Sequence, residues 1–332
     1  MKNIIPFFLL LLTMATFSAC QQDQPFSAIS KPADHGLTLL TSANPGWRYQ
    51  NLRVYPIIAH DEGVGSQQNV KNLTPLVAAM TMPGFRITEQ KQFGRTERQW
   101  YNGLTVQNKT QDTVYLMSGD VVTGGNQDRV LAHDDVILPA SVKNVEVFCV
   151  EKGRSNYYDE SAPAAEKEVA AFKGYFSVAS PRVRQAVQRT GNQSEVWAAV
   201  DQVTAANNAG SETHTYAGLA TENDKKAIRD AYLRHFAGQF TDLPNMVGMV
   251  VVCGDKVLGV DIFGHPDLFK REYAALLQGY VAEVGDGDIR DSDAAAQHAF
   301  NKVVPLAAPT ATETKEVGKF SRSGTWVHLY SK

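Results

Sequence analysis

The apolar residues of this chain change their period part-way along, and that change restricts the fold more than any other feature. From Leu52 to about Glu151 they fall in short β-branched and aromatic runs: LRVYPII, FRITEQ from Phe85, LTVQNKT from Leu104, TVYLMSGDVV from Thr113, RVLAHDDVILP from Arg129 and NVEVFCVE from Asn144. Turn residues such as Asn102-Gly103 and Gly124-Gly125-Asn126 separate them, the pattern of strands. One short helix interrupts this half, predicted from Leu73 with Thr74 as cap and Pro75 at the first helical position. Further on the spacing becomes three and four, first at Val196, Trp197, Val200 and Val203, then from Ala227 to Phe236. A buried hairpin turning at Gly254-Asp255 follows, then a helix opened by Pro266, a short helix from Asp291 to Val303, and two terminal strands. Strands and helices do not alternate regularly, so the fold class expected is α+β: a β-rich N-terminal half, then helices, a β-hairpin and returning C-terminal strands in one interleaved domain.

The N-terminus is of a different kind. Lys2 precedes the apolar run Ile4–Leu12, and TMATFSAC then ends at Cys20. These are the three parts of a secretory signal, and the run is too short for the roughly 20 residues of a membrane-spanning helix. Phe17-Ser18-Ala19-Cys20 resembles the lipobox of bacterial lipoproteins, which implies cleavage before Cys20 and acylation of its thiol. Residues 1–19 are therefore expected to be a signal peptide, 20–50 a polar tether and 51–332 the folded domain. The expected location is the cell envelope, facing the periplasm or the cell surface, with the membrane as a partner through the lipid on Cys20.

Composition narrows the remaining functions. With 32 Lys+Arg against 35 Asp+Glu the formal charge is −3, and no basic stripe offers itself to phosphates, so no nucleic-acid partner is expected. Of three cysteines, Cys149 and Cys253 remain if Cys20 carries lipid. Both lie in apolar strand-like runs, which favours buried thiols over a disulfide, although an oxidising compartment permits the bridge. Neither has zinc-ligand spacing, and no metal or cofactor is expected.

Two polar segments could carry chemistry. In GDVVTGGNQDR the adjacent Gly124 and Gly125 permit positive φ and a nest of N–H groups for an anion, with Asp120, Gln127, Asp128 and Arg129 around it. In CVEKGR the period of two puts Glu151 at the rim of an apolar strand face, with Arg154 on the following loop. The bland reading of both is a closed loop, capped by aspartates and locked by ion pairs. His60 and His133 read as surface histidines, while His235 and Trp197 read as packed against helices. The pattern SGD, GGNQDR, CVEKGR and VW, with VVCGDKVLGVDIF and the terminal WVHLYS, resembles the ARPP-1 family, the ARG and rhodanese-phosphatase-superfamily-associated proteins, from about Leu52 onward. The resemblance implies a fold family and no assigned reaction.

The function expected is accordingly a lipid-anchored envelope protein that binds or scaffolds. Gly124, Gly125, Gln127, Arg129 and Arg154 would contact a small polar ligand or an envelope protein. The alternative is a metal-independent hydrolase of phosphorylated or ribosylated substrates, drawing its acid and base from Asp120, Asp128 and Glu151. A purely structural envelope protein is a third reading. The binding and hydrolase readings require Asp128 and Glu151 to meet in space.

Overall fold

The structure, a computed structural model, describes residues 35–42, 44–60, 68–90, 102–154, 170–285 and 292–332. Cys20, the signal segment and most of the expected tether lie outside them. In chain order the elements are β1 (Leu37–Leu39), β2 (Arg48–Tyr49), β3 (Leu52–Ala59), α1 (Gln68–Lys71), β4 (Thr74–Pro75), α2 (Leu76–Ala79), β5 (Phe85–Glu89), β6 (Gly103–Asn108), β7 (Val114–Leu116), β8 (Asp120–Gly124), β9 (Arg129–Leu131), β10 (Asp135–Ile137), β11 (Ser141–Cys149) and β12 (Phe172–Val178). There follow α3 (Pro181–Gln185), α4 (Gln193–Ala206), α5 (Asp224–Phe236), β13 (Met246–Cys253), β14 (Lys256–Phe263), α6 (Pro266–Val281), α7 (Asp293–Val303), β15 (Val317–Arg322) and β16 (Thr325–Ser331). Helix and strand share the chain, and the class is α+β.

Two large sheets organise the molecule, beside a small third one in the order β10-β7-β4. The first runs β1-β3-β13-β14-β16-β15, with β2 also on β3, so strands from both ends of the chain flank the β13–β14 hairpin. The second runs β12-β8-β9-β11-β6-β5. Its outer strands meet through a bridge between Thr88 and Ala171, and the Glu89 N–H donates to Ala170 O at 2.9 Å. The sheet therefore closes into a small barrel, filled by Ile87, Leu104, Val106, Val122, Leu131 and Val147. Closure removes the exposed strand edges that an open sheet would leave.

Helix α6 lies between the two bodies, packing on β13 and β14 on one side and β12 on the other. It buries a broad face against both and leaves only the stripe of Lys270, Arg271, Ala274 and Gln278 exposed, and Gly279 approaches so closely that a Cβ there would stand 2.7 Å from Ala179 O. Strand β7 divides its side chains between them by the strand period: Val114 and Leu116 enter the barrel core, Tyr115 and Met117 the core under α6. Helix α7 covers the far face of the first sheet, and α4 the outside of the barrel.

Three expectations need correcting. The tether does not extend to residue 50: β1 pairs with β3, and Leu37, Leu39 and Trp47 are fully buried. TVYLMSGDVV and RVLAHDDVILP are each two strands, because Gly119 at φ +99° and the Asp134 turn send the chain out of the barrel and back. Thr74 and Pro75 form a two-residue strand beside β7 instead of opening a helix, and the helix after them lasts a single turn. Cys149 and Cys253 are free, one in the barrel and the other in the first sheet.

Candidate functional site

The strand ends Glu89, Gly124, Arg129, Cys149 and Phe172 converge on one mouth of the barrel, because neighbouring antiparallel strands present opposite termini at the same rim. Across this mouth the GGNQDR loop and the CVEKGR segment come together. The Asp128 N–H donates to Glu151 Oε2 at 3.0 Å, and the Gln127 amide donates to Glu151 O at 2.8 Å. Arg154 folds back between the two carboxylates. Its Nε lies 2.9 Å from each Glu151 oxygen and one terminal nitrogen 2.6 Å from Oε2; that nitrogen also reaches Asp128 Oδ1 at 3.1 Å, and the other donates to Gly125 O at 3.0 Å.

The glycine loop does form a nest, but the anions in it belong to the chain. The Gly124 N–H donates to Asp128 Oδ1 at 3.0 Å, and the Asn126 N–H to Glu89 Oε1 at 2.9 Å. The Gly125 N–H is taken by Ala171 O, and Thr215 donates to Asp128 Oδ2 at 2.6 Å. Gly125 needs its positive φ of 58°, and a Cβ there would stand 2.5 Å from the Phe172 ring. Arg129 is buried against Gln127, Cys149 and Glu89, with only its Nε unpartnered among the described residues. Burial pushes the Glu151 carboxyl up, but the hydrogen bonds from Arg154, Thr213 and the Asp128 N–H outweigh it and hold the group below the ordinary glutamate range. Burial raises the Cys149 thiol against the opposing charge of Arg129. The arrangement suits locking a loop better than exchanging protons.

A model of the ARG and Rhodanese-Phosphatase-superfamily-associated Protein domain, ARPP-1, matches residues 41–325. The chain belongs to the ARPP-1 family. No curated protein and no solved structure matches it.

Of the site residues expected from sequence, the ARPP-1 fold brings together Gly124, Gly125, Gln127, Asp128, Arg129, Glu151 and Arg154. It leaves Asp120 out. Asp120 begins β8 and Gly124 ends it, which separates them by roughly 14 Å at about 3.4 Å per residue. Sequence reasoning missed Glu89, Thr213 and Thr215, which reach the mouth from distant segments without any motif of their own.

Asp120 belongs instead to a charge network buried between the ARPP-1 barrel and the first sheet. Arg184 grips Asp261 with two bonds, at 3.0 and 2.6 Å, and Tyr280 donates to the same carboxylate at 2.5 Å. His328 lies between two carboxylates, Nδ1 at 2.9 Å from Asp134 and Nε2 at 3.1 Å from Asp261. Both ring nitrogens face acceptors, so the ring carries two protons; burial opposes this, but the two carboxylates raise its pKa. Asp261 is held well below the usual range, burial being outweighed by Arg184 and His328. These four charges balance. Asp120 and Glu272 are two further carboxyls with no cation paired to them among the described residues, and burial pushes Asp120 up to about 7 and Glu272 well above its ordinary value. Tyr175 and the Met117 N–H bond Asp120, whereas Glu272 Oε1 and the Tyr115 hydroxyl have no partner among the described residues. One signal of this network was visible in the sequence: Asp261 and His328 interrupt the apolar runs VLGVDIF and TWVHLYS.

Proposed function

We propose that this ARPP-1 chain is a lipid-anchored envelope protein that works as a binding or scaffolding module. The observation that carries the scaffolding part is that the polar mouth is saturated from within. Its carboxylates face Arg154 and its loop N–H groups face the chain's own acceptors. A hydrolase acting there would need a carboxyl able to hold a proton near neutrality, and the lowered pKa of Glu151 argues against it in that role. The anchor is supported by the FSAC sequence at the end of the apolar segment, and no helix among the described residues is long and apolar enough to cross a membrane.

The experiment is expression of the full chain and of Cys20→Ser in a bacterial host fed labelled palmitate. Label on the wild type only, with Cys20→Ser left as precursor or released to the soluble fraction, is the expected result. A mature N-terminus other than residue 20 defeats the anchor. Turnover of phosphoesters or ribosides that Glu151→Gln abolishes without unfolding the protein defeats the scaffolding reading.

A further inference from the structure

The first sheet ends at β15, and the strand period places Val317, Lys319 and Ser321 on its α7-facing side. Val317 joins the core there, whereas Lys319 and Ser321 reach a cavity of about 610 Å³ between the sheet edge and the loop after α7. That volume lies within the usual range for small-molecule sites. Ala307 and Ala311 form part of one wall, Trp326 lies opposite Ser321 in the β15–β16 pairing, and Thr312 and Thr325 add hydroxyls.

The charges in this cavity are uneven. Glu313, the acid in its lining, is already paired with Lys332 at 2.8 Å. Lys319 has no carboxylate within ion-pair reach among the described residues. Its Nζ donates to the carbonyls of Ala308 and Ala311 at 2.8 and 3.3 Å, two bonds from a group with three donors. Partial burial lowers the Lys319 pKa.

We propose that this cavity binds a small hydroxylated organic acid, its carboxylate on Lys319 and its hydroxyls among Thr312, Ser321 and Thr325. One ammonium, with no arginine fork beside it, matches a singly charged carboxylate better than a phosphate dianion. Alanine and tryptophan surfaces supply the apolar wall that such a ligand's carbon skeleton needs. The site is separate from the barrel mouth and does not depend on lipidation.

The test is calorimetric titration of the full chain with D-glucuronate as probe, beside D-glucose, acetate and inorganic phosphate. Glucuronate is expected to bind with a Kd of about 1 mM or tighter. Glucose, lacking the charge, and acetate, lacking the hydroxyls, are each expected to bind about tenfold more weakly or worse. Lys319→Met should abolish binding. Because Lys319 also anchors the loop, Ser321→Trp provides a second variant that fills the cavity from an exposed position and should block glucuronate while leaving the thermal midpoint unchanged. No glucuronate binding, equal binding of acetate, phosphate preferred over glucuronate, or unchanged affinity in Ser321→Trp overturns the proposal.

Discussion

Replacing Arg154 by alanine tests whether the barrel mouth is a lock. The guanidinium bonds both oxygens of Glu151, one of Asp128 and the Gly125 carbonyl. Its loss leaves two carboxylate side chains, 4% and 7% exposed, sharing one rim without their cation. Breaking a buried ion pair by removing one partner costs about 3–5 kcal/mol, but the Arg154 side chain is itself 30% exposed, so water can enter its place and about 2–3 kcal/mol is expected. At roughly 2–4 °C per kcal/mol for a body of this size, the thermal midpoint falls by about 4–12 °C. The assay is urea and thermal unfolding at neutral pH. Arg154→Lys should recover less than half of the loss, because an ammonium cannot span the acceptors that the planar fork reaches. A cycle with Glu151→Gln should return a coupling of about 1–3 kcal/mol. The dependence on pH has a definite sign. The folded-state pKa of Glu151 is lowered, so its contribution is present above its ordinary value of 4.5 and is lost as pH falls through the folded value. The gap between wild type and Arg154→Ala should therefore narrow in acid. A variant within about 0.5 kcal/mol of wild type at neutral pH would refute the lock.

Gly125→Ala should cost about 1–3 kcal/mol, since φ is +58° and the new methyl meets both the Phe172 ring and Glu89 Oε1; unaltered urea midpoints would show that the loop relaxes freely. The buried carboxyls Asp120 and Glu272 have raised folded-state pKa values, so between about pH 4 and 8 the folded chain holds protons the unfolded chain releases, and stability declines as pH rises, by up to about 1.4 kcal/mol per pH unit per proton. His328, also raised, adds to that decline at the alkaline end, whereas the depressed Asp261 acts only in acid. Glu272→Gln should flatten the decline by about one proton, and an unchanged slope in denaturation from pH 5 to 8 would remove Glu272 from the account.

What the sequence made legible follows from how local the physics is. The β13–β14 hairpin, α4, α6 and the terminal strands are set by side-chain period and by Gly or Pro at their ends, all within a few residues. The closing of the barrel is not local. Thr88 and Ala171 are far apart in sequence, and nothing in FRITEQ announces that its end will bridge to another strand. The same distinction divides the mouth. Asp128, Glu151 and Arg154 were recognisable because their segments carry glycines and charges at a strand end, whereas Glu89, Thr213 and Thr215 gained their roles only through folding. Asp120 was misplaced because it shares a strand with Gly124, and the two ends of a strand in a closed barrel serve different rims.

The corrected start of the fold leads to a last prediction. Leu37, Leu39 and Trp47 precede the expected domain boundary at residue 51, yet each is 0–1% exposed. Burying such side chains contributes roughly 1.5–3 kcal/mol apiece, so together they represent about 5–9 kcal/mol, comparable with the whole net stability of an ordinary domain. Removing β1 and β2 would also bare the edge of β3, eight residues of mostly apolar strand that could then pair with other chains. A chain begun at Asn51 should therefore be insoluble or lose at least about 5 kcal/mol relative to one begun at His35, as read by urea unfolding and light scattering. Equal midpoints for the two would mean that the N-terminal strand is not part of the cooperative body. By the same geometry, an acyl group on Cys20 would be joined to the first sheet by at most the 17 steps from Cys20 to Leu37, roughly 60 Å when fully stretched.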